Sequence, residues 1–136
     1  MADFLYDKAR ESFLSQNPSI DFDTDTIKIA LVGSGYTASQ SADDFWNDAS
    51  SAVIGTPATL ASKTVTSGVA DAADVTFSAV ASGSTVTQLV IYKDTGTSST
   101  SPLIAHIDSY TGLPLSTNGG DITIQFPSDS NRIFKL

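Results

Sequence analysis

From Val53 onward, short stretches of alternating apolar and polar residues are separated by turn sequences. Ile122 and Ile124 alternate with polar residues, and the glycine-containing turns 94–96 and 118–120 separate neighbouring stretches. A period of two places every second side chain on the same face, which is typical of a β-strand with one buried face. Glycine and asparagine accept the positive φ angles of tight turns. The pattern therefore predicts a mainly β fold, either an antiparallel β-sandwich or a partly open barrel.

Eight strands are predicted, and one of them belongs in the middle of a sheet. Residues 89–92, Leu-Val-Ile-Tyr, are apolar at consecutive positions, so both faces of this segment are expected to be buried. Pro57, Pro102, Pro114 and Pro127 fall at strand starts or ends, where a missing N–H group is tolerated. The predicted strands cover residues 26–32, 53–60, 63–70, 74–79, 85–94, 103–109, 121–126 and 131–136.

A short amphipathic α-helix is predicted near the N-terminus, over residues 3–14. Leu5, Ala9 and Phe13 are spaced four residues apart, which aligns them on one apolar stripe. Asp3 is positioned to cap the first turn. We expect the helix to cover one end of the sheet structure, because short isolated helices need packing partners; projection towards a neighbouring molecule is the alternative.

The length of the chain, 136 residues, is typical of a single domain that buries its own core. We therefore expect one β-sandwich domain over residues 1–136, with residues 1–18 as its helical segment. The chain has no cysteine, which excludes disulfides and thiolate metal sites and suits assembly in a reducing cytoplasm.

Acidic residues outnumber basic ones by fifteen to seven, which gives a net charge of −8. Residues 1–50 alone carry nine acids and three bases. Nucleic-acid binding depends on Lys and Arg to neutralise phosphates, so DNA and RNA are not expected partners. The longest apolar runs contain four residues. Crossing a bilayer takes about 20, so no membrane partner is expected either.

The acidic residues Asp21, Asp23 and Asp25 have the spacing with which a calcium-binding loop begins. An EF-hand also needs glycine at its sixth position and glutamate at its twelfth, and these positions hold Thr26 and Val32. We expect a solvated acidic loop, with a calcium site of another type as the alternative, and we expect no resident metal or cofactor.

The single histidine, His106, lies in a predicted strand and is expected to face the surface. It could form a catalytic triad only with a serine and an acid, and no nucleophile-elbow sequence accompanies it. Zinc sites draw most of their ligands from histidine and cysteine, and the chain has one of the first and none of the second. We therefore expect a protein without catalytic residues, and not an enzyme.

Large aromatic residues are the candidates for contacts between subunits, because such residues dominate interface energetics. Some lie in the N-terminal segment, and others lie in a polar loop where residues 43–46 are predicted to form one helical turn capped by Ser41. Packing into the chain's own core is the alternative for all of them. The candidates are Phe4, Tyr6, Phe13, Phe45 and Trp46.

Six blocks, spread over nearly the whole chain, resemble sequences of small virion structural proteins of tailed bacteriophages. They consist of turns and alternating strands, and none is a catalytic motif. The blocks are residues 6–14 (YDKARESFL), 25–32 (DTIKIALV), 65–77 (VTSGVADAADVTF), 89–96 (LVIYKDTG), 119–124 (GGDITI) and 131–136 (NRIFKL).

The resemblance implies a component of the virion that is assembled in the host bacterial cytoplasm. It favours a capsid decoration or cement protein that binds the major capsid protein or other virion proteins, stabilises the head and forms a homo-oligomer, with a trimer as the first expectation. A tail, neck or baseplate component is the first alternative. The second is a module that binds host-surface glycans through an aromatic platform, for which Tyr36, Tyr92 and Tyr110 are the candidates.

Overall fold

The computed structural model describes residues 3–126 and 133–135. Within these ranges the α-helix is α1 (Asp7–Ser15). Short 3₁₀ helices occur at Trp46–Asp48, Ser50–Ala52 and Ser98–Thr100. The strands are β1 (Phe4–Leu5), β2 (Ile27–Val32), β3 (Val53–Thr59), β4 (Thr64–Thr66), β5 (Val69–Asp71), β6 (Val75–Phe77), β7 (Thr85–Val86), β8 (Gln88–Lys93), β9 (Leu103–Ile107), β10 (Leu115–Ser116), β11 (Ile122–Ile124) and β12 (Phe134–Lys135).

The main sheet has five strands in the order β1-β9-β8-β2-β3, and all of its pairings are antiparallel. Strand β8 lies in the middle, which confirms the prediction for residues 89–92. Strands β2, β8 and β9 are buried on both faces, so other parts of the chain cover both sides of the sheet. The mainly β, antiparallel prediction with a short N-terminal helix is confirmed, and no sheet in the described ranges closes into a barrel.

The three smaller sheets are also antiparallel. One has three strands in the order β12-β5-β4, and the other two pair β6 with β11 and β7 with β10. The strand predicted over residues 63–70 is a hairpin instead, because Ser67 and Gly68 take positive φ angles of 52° and 78° and turn the chain back. The strand predicted over 85–94 divides at Thr87, whose N–H group donates to the carbonyl of Val32. Of the predicted strand 131–136, β12 is present, Ile133 forms a bend before it, and the other three residues lie outside the described ranges.

Helix α1 begins at Asp7, later than predicted, because the preceding residues extend along β9 as β1. The N–H group of Tyr6 continues this contact by donating to the carbonyl of Ile104 at 3.0 Å. The helix ends where Gln16 adopts a positive φ of 57°. It packs against β9, and no helix in the described ranges has the length and hydropathy that a bilayer crossing requires.

Asp3 lies outside the helix and caps the turn after β9. Its carboxylate accepts hydrogen bonds from the N–H groups of Asp108 and Ser109, at 2.9 and 3.1 Å, and from the Ser109 hydroxyl at 2.6 Å. Partial burial raises the pKa of the Asp3 carboxyl, but these hydrogen bonds outweigh burial and hold the pKa below its ordinary value. The prediction that Asp3 caps α1 is therefore wrong, because β1 separates this residue from the helix.

Candidate functional site

Two of the five aromatic interface candidates, Tyr6 and Trp46, lie inside the chain. Tyr6 has no exposed surface, and the indole of Trp46 stacks on Tyr92 with ring centroids 4.3 Å apart and planes 5° apart. Phe4 is half-buried and stacks on the imidazole of His106 at 4.9 Å. The rings of Tyr6 and Trp46 therefore serve the chain's own core, which was the alternative for these residues.

The turn that carries Trp46 is held by an acidic side chain. Asp48 accepts hydrogen bonds from the N–H groups of Asp44 and Phe45 at 2.9 and 3.4 Å. The predicted helical turn is displaced to Trp46–Asp48, so the N-cap residue is Phe45 and not Ser41, and Asp48 is the third residue of the turn. Burial, followed by the neighbouring charge of Asp48, raises the pKa of the Asp44 carboxyl. These carboxylates shape a turn, and Phe45 remains half-buried at its edge.

The tyrosines proposed as a glycan platform do not share an exposed surface. Tyr36 and Tyr92 are buried, and burial raises the pKa of the Tyr92 phenol to about 12. Tyr110 is half-buried, and its hydroxyl accepts the N–H group of Gln125 at 2.9 Å. Sugar-binding platforms need exposed ring faces, and two of these three rings contact the core instead.

His106 is buried, with only 1% of its surface exposed, so the prediction of a surface-facing histidine is wrong. The side-chain amide of Gln88 donates its two hydrogens to the carbonyls of Gly33 and Tyr36, both at 2.8 Å. Its oxygen is therefore the group that faces His106 Nε2 at 2.6 Å, and Nε2 must carry the hydrogen. Sequence alternation cannot reveal this burial, because both faces of β9 are covered.

The neutral form of His106 fits this environment. Nδ1 is buried without a hydrogen-bond partner among the described residues, so protonation would add an unsolvated charge. Burial lowers the pKa of the His106 imidazole, although the carboxylates of Asp108 and Asp3 act in the opposite direction. The imidazole thus joins β9 to β8 as a neutral donor.

We expect the free energy of unfolding to fall as the pH is lowered from 7 towards 5. The unfolded chain takes up a proton at its ordinary pKa of 6.5, whereas the folded imidazole does so only at lower pH. The stability contribution is therefore complete above pH 6.5 and is lost as the pH falls through the folded pKa. Urea unfolding at several pH values measures this dependence.

The control is His106→Gln, which cannot titrate. Asp23 and Asp44, whose carboxyl pKa values are raised, contribute with the opposite sign in both proteins, so the difference between wild type and variant isolates the imidazole. Parallel pH curves for the two proteins would contradict the assignment of a neutral buried imidazole.

The three carboxylates of the acidic loop do not meet at a common site. Asp25 Oδ2 accepts the N–H group of Asp21 at 2.7 Å and pairs with the ammonium of Lys93 at 3.0 Å. The carboxyls of Asp21 and Asp23 act on each other, and this interaction lowers the pKa of Asp21 and raises that of Asp23. Within the described ranges, no group of three or more His, Asp or Glu side chains has an arrangement that could hold a metal ion. Asp25 is thus turned towards Lys93, and only Asp21 and Asp23 remain together.

An open groove of about 430 Å³ lies between the end of α1, the acidic loop and the β4–β5 hairpin. Phe134 packs against Phe13 at 6.3 Å and edge-on against Phe22 at 5.6 Å, measured between ring centroids. We call this depression the aromatic groove; its walls include Phe13, Phe22, Val65, Ala70 and Phe134.

Sequence reasoning identified Phe13 but missed the rest of the groove. Val65 is 50% exposed, although the alternation Thr-Val-Thr favours a buried face for it, so the sequence gives no signal of this exposure. Leu14, on α1, is 90% exposed and is the other large apolar residue at the surface of the described ranges. Among the described residues that line the groove, the charged ones, Asp21 and Asp23, are both acidic.

No protein-family model matches the sequence, and a comparison with curated proteins gives no significant match. The chemistry of this surface is therefore defined by its own residues: aromatic walls, an acidic rim and a half-exposed valine. Such a surface is suited to binding, because it offers apolar contact area beside fixed negative charge.

Proposed function

We propose that this chain is a structural protein of a tailed-bacteriophage virion, and within the virion a head decoration protein. One observation carries the proposal: the six blocks that resemble such proteins extend over nearly the whole chain. The described parts of these blocks coincide with the framework, since they contain most of α1 and β8 and all of β2, β5, β6, β11 and β12. The resemblance therefore concerns the residues that build the fold.

The internal chemistry supports a structural role. Gln88 and His106 join β8 to β9, Asp3 holds the turn after β9, and the Tyr6 and Tyr36 hydroxyls are hydrogen-bonded to each other at 2.7 Å. Each of these polar groups fixes one segment to another. A decoration protein acts through binding energy alone, so rigid surfaces are what its function requires.

In this proposal the protein binds the lattice of capsid subunits, bridges neighbouring subunits and opposes the outward pressure of packaged DNA. Assembly as a trimer at points of threefold symmetry would multiply a modest contact energy, because linked sites bind with a high effective concentration. The net charge of −8 favours contact with a basic surface of the lattice.

The test is to locate the protein in purified particles. Heads and tails are separated, each fraction is probed with an antibody against this chain, and intact particles are reconstructed by electron microscopy. We expect the protein in the head fraction, at a regular position on the capsid surface. Detection only in tails would place it in the tail, neck or baseplate, and absence from particles would overturn the virion assignment.

A further inference from the structure

The aromatic groove has the size and lining of a site for one or two apolar side chains. Its volume is about 430 Å³, within the range of about 300–1,000 Å³ that binding pockets occupy. Phe22 is buried, whereas Phe13 and Phe134 are half-buried and leave part of their rings uncovered. Burial of these rings by a ligand would remove apolar surface from water, which is the main source of binding free energy.

Among the described residues that line the groove, the charged groups are the carboxylates of Asp21 and Asp23 at its rim. Asp21 and Asp23 are exposed and both line the groove, whereas Asp25 is paired with Lys93. A cationic group beside the first two would relieve their mutual repulsion. Lys63 has only a minor effect on the pKa of Asp23, which it lowers, and its ammonium donates to the backbone carbonyl of Asp25. Charge complementarity therefore favours a ligand with Lys or Arg next to its apolar side chain.

Strand β4 forms one wall of the groove and offers a template for an extended chain. It lies at the end of the sheet β12-β5-β4, and all three of its residues are exposed. An extended peptide can add to such an edge, so that backbone hydrogen bonds fix its direction while alternate side chains enter a pocket. Val65, in the middle of β4, lines the groove.

We propose that the aromatic groove binds an extended segment of a second virion protein, the capsid subunit, through an apolar side chain flanked by Lys or Arg. The identity of the partner rests on the proposed function, whereas the chemistry of the segment rests on the groove alone. A second copy of this chain is the less suitable occupant of the groove, because the described charged residues that line it are acidic and the chain has fifteen acids but only seven bases to offer. Contacts within a trimer would then lie elsewhere on the surface.

The probe is the synthetic peptide acetyl-Thr-Lys-Phe-Lys-Val-Lys-Thr-amide, titrated into the ¹⁵N-labelled protein at low salt. We expect saturable shifts of the amide resonances of Phe22, Val65 and Ala70. A peptide with Glu in place of each Lys, and one with Ser in place of Phe and Val, are expected to bind at least tenfold more weakly. Equal binding of the three peptides, or no shifts at the groove at millimolar concentration, would overturn the proposal.

Variants of the protein provide matched controls. Val65→Glu and the double variant Asp21→Asn/Asp23→Asn are expected to bind the basic peptide at least tenfold more weakly. Leu14→Glu places the same charge on an exposed apolar residue outside the groove, and is expected to bind as the wild type does. Circular dichroism and thermal unfolding confirm that each variant is folded; should Val65→Glu fail, the double variant still gives the answer. If Leu14→Glu weakened binding of the basic peptide to the same extent, the aromatic groove would not be the binding site.

Two further outcomes separate this inference from the proposed function. Concentration-dependent self-association that Val65→Glu abolishes, measured by sedimentation velocity, would assign the groove to a second copy and overturn the capsid-segment proposal. If the wild type is found in heads but the peptides do not bind, this inference fails and the virion assignment stands. If the basic peptide binds but the protein is absent from particles, the chemistry assigned to the groove stands and the virion assignment fails.

Discussion

Replacing Trp46 with alanine is expected to lower the free energy of unfolding by about 3–5 kcal/mol, the cost typical of removing a large aromatic residue from a core. The indole is buried and lies parallel to the ring of Tyr92 at 4.3 Å. Its removal leaves a cavity beside the central strand β8, to which Tyr92 belongs. The change is measured by urea denaturation with far-UV circular dichroism as the readout, because the variant lacks the tryptophan whose fluorescence would otherwise report unfolding.

The neighbouring aromatic residue gives the matched control. Phe45 is half-buried, so Phe45→Ala removes less buried surface and is expected to have the smaller effect on unfolding. If Trp46→Ala left the free energy of unfolding within 1 kcal/mol of wild type and instead released the protein from particles, Trp46 would be an interface residue after all. That outcome would contradict the core packing described above.

The strands that could be predicted are the longer ones, which carry a repeated apolar pattern or a consecutive apolar run. Strands β2, β3 and β9 lie within one or two residues of predicted segments, β8 contains the apolar run of segment 85–94, and β11 covers half of segment 121–126. Strands β1 and β10 have two residues each, which is too short for a period of two to be recognised. Their formation depends on partners far away in the sequence, since β1 pairs with β9 and β10 with β7.

The errors about Asp3 and His106 have the same cause. An acidic residue before an amphipathic stretch is a good cap, but β1 intervenes and takes Asp3 to the turn after β9. A histidine in an alternating strand is expected at the surface, but the chain covers both faces of the main sheet. In each case a long-range contact overrides a local preference, and local sequence carries no record of that contact.

The aromatic groove could not be predicted for a related reason. Its walls come from the end of α1, the acidic loop, the β4–β5 hairpin and β12. These segments lie far apart in the sequence, from Phe13 to Phe134. In the sequence, Asp21 and Asp23 indicate only a solvated acidic loop. Only the fold shows that this pair lies beside Phe22 and Phe134.

Replacing Tyr36 with phenylalanine is expected to lower the free energy of unfolding by about 2–4 kcal/mol, since it removes a hydrogen bond to a charged group and leaves a buried hydroxyl unpaired. The Tyr36 hydroxyl donates to Asp43 at 2.6 Å, so it must accept the hydrogen bond from Tyr6 at 2.7 Å. Burial raises the pKa of both phenols, so both stay protonated at neutral pH. Asp43 keeps one partner in the variant, the N–H group of Ser39.

A double-mutant cycle tests the direction of this chain of hydrogen bonds. Tyr6→Phe alone removes a donor and leaves the Tyr36–Asp43 bond intact, so its cost is expected to be about 1 kcal/mol. In the double variant Tyr6→Phe/Tyr36→Phe the unpaired Tyr6 hydroxyl is gone, and the total cost should be smaller than the sum of the two single costs. Urea denaturation of the four proteins gives the coupling energy. Additive costs would mean that the two hydroxyls do not depend on each other, and the relay from Tyr6 through Tyr36 to Asp43 would have to be abandoned.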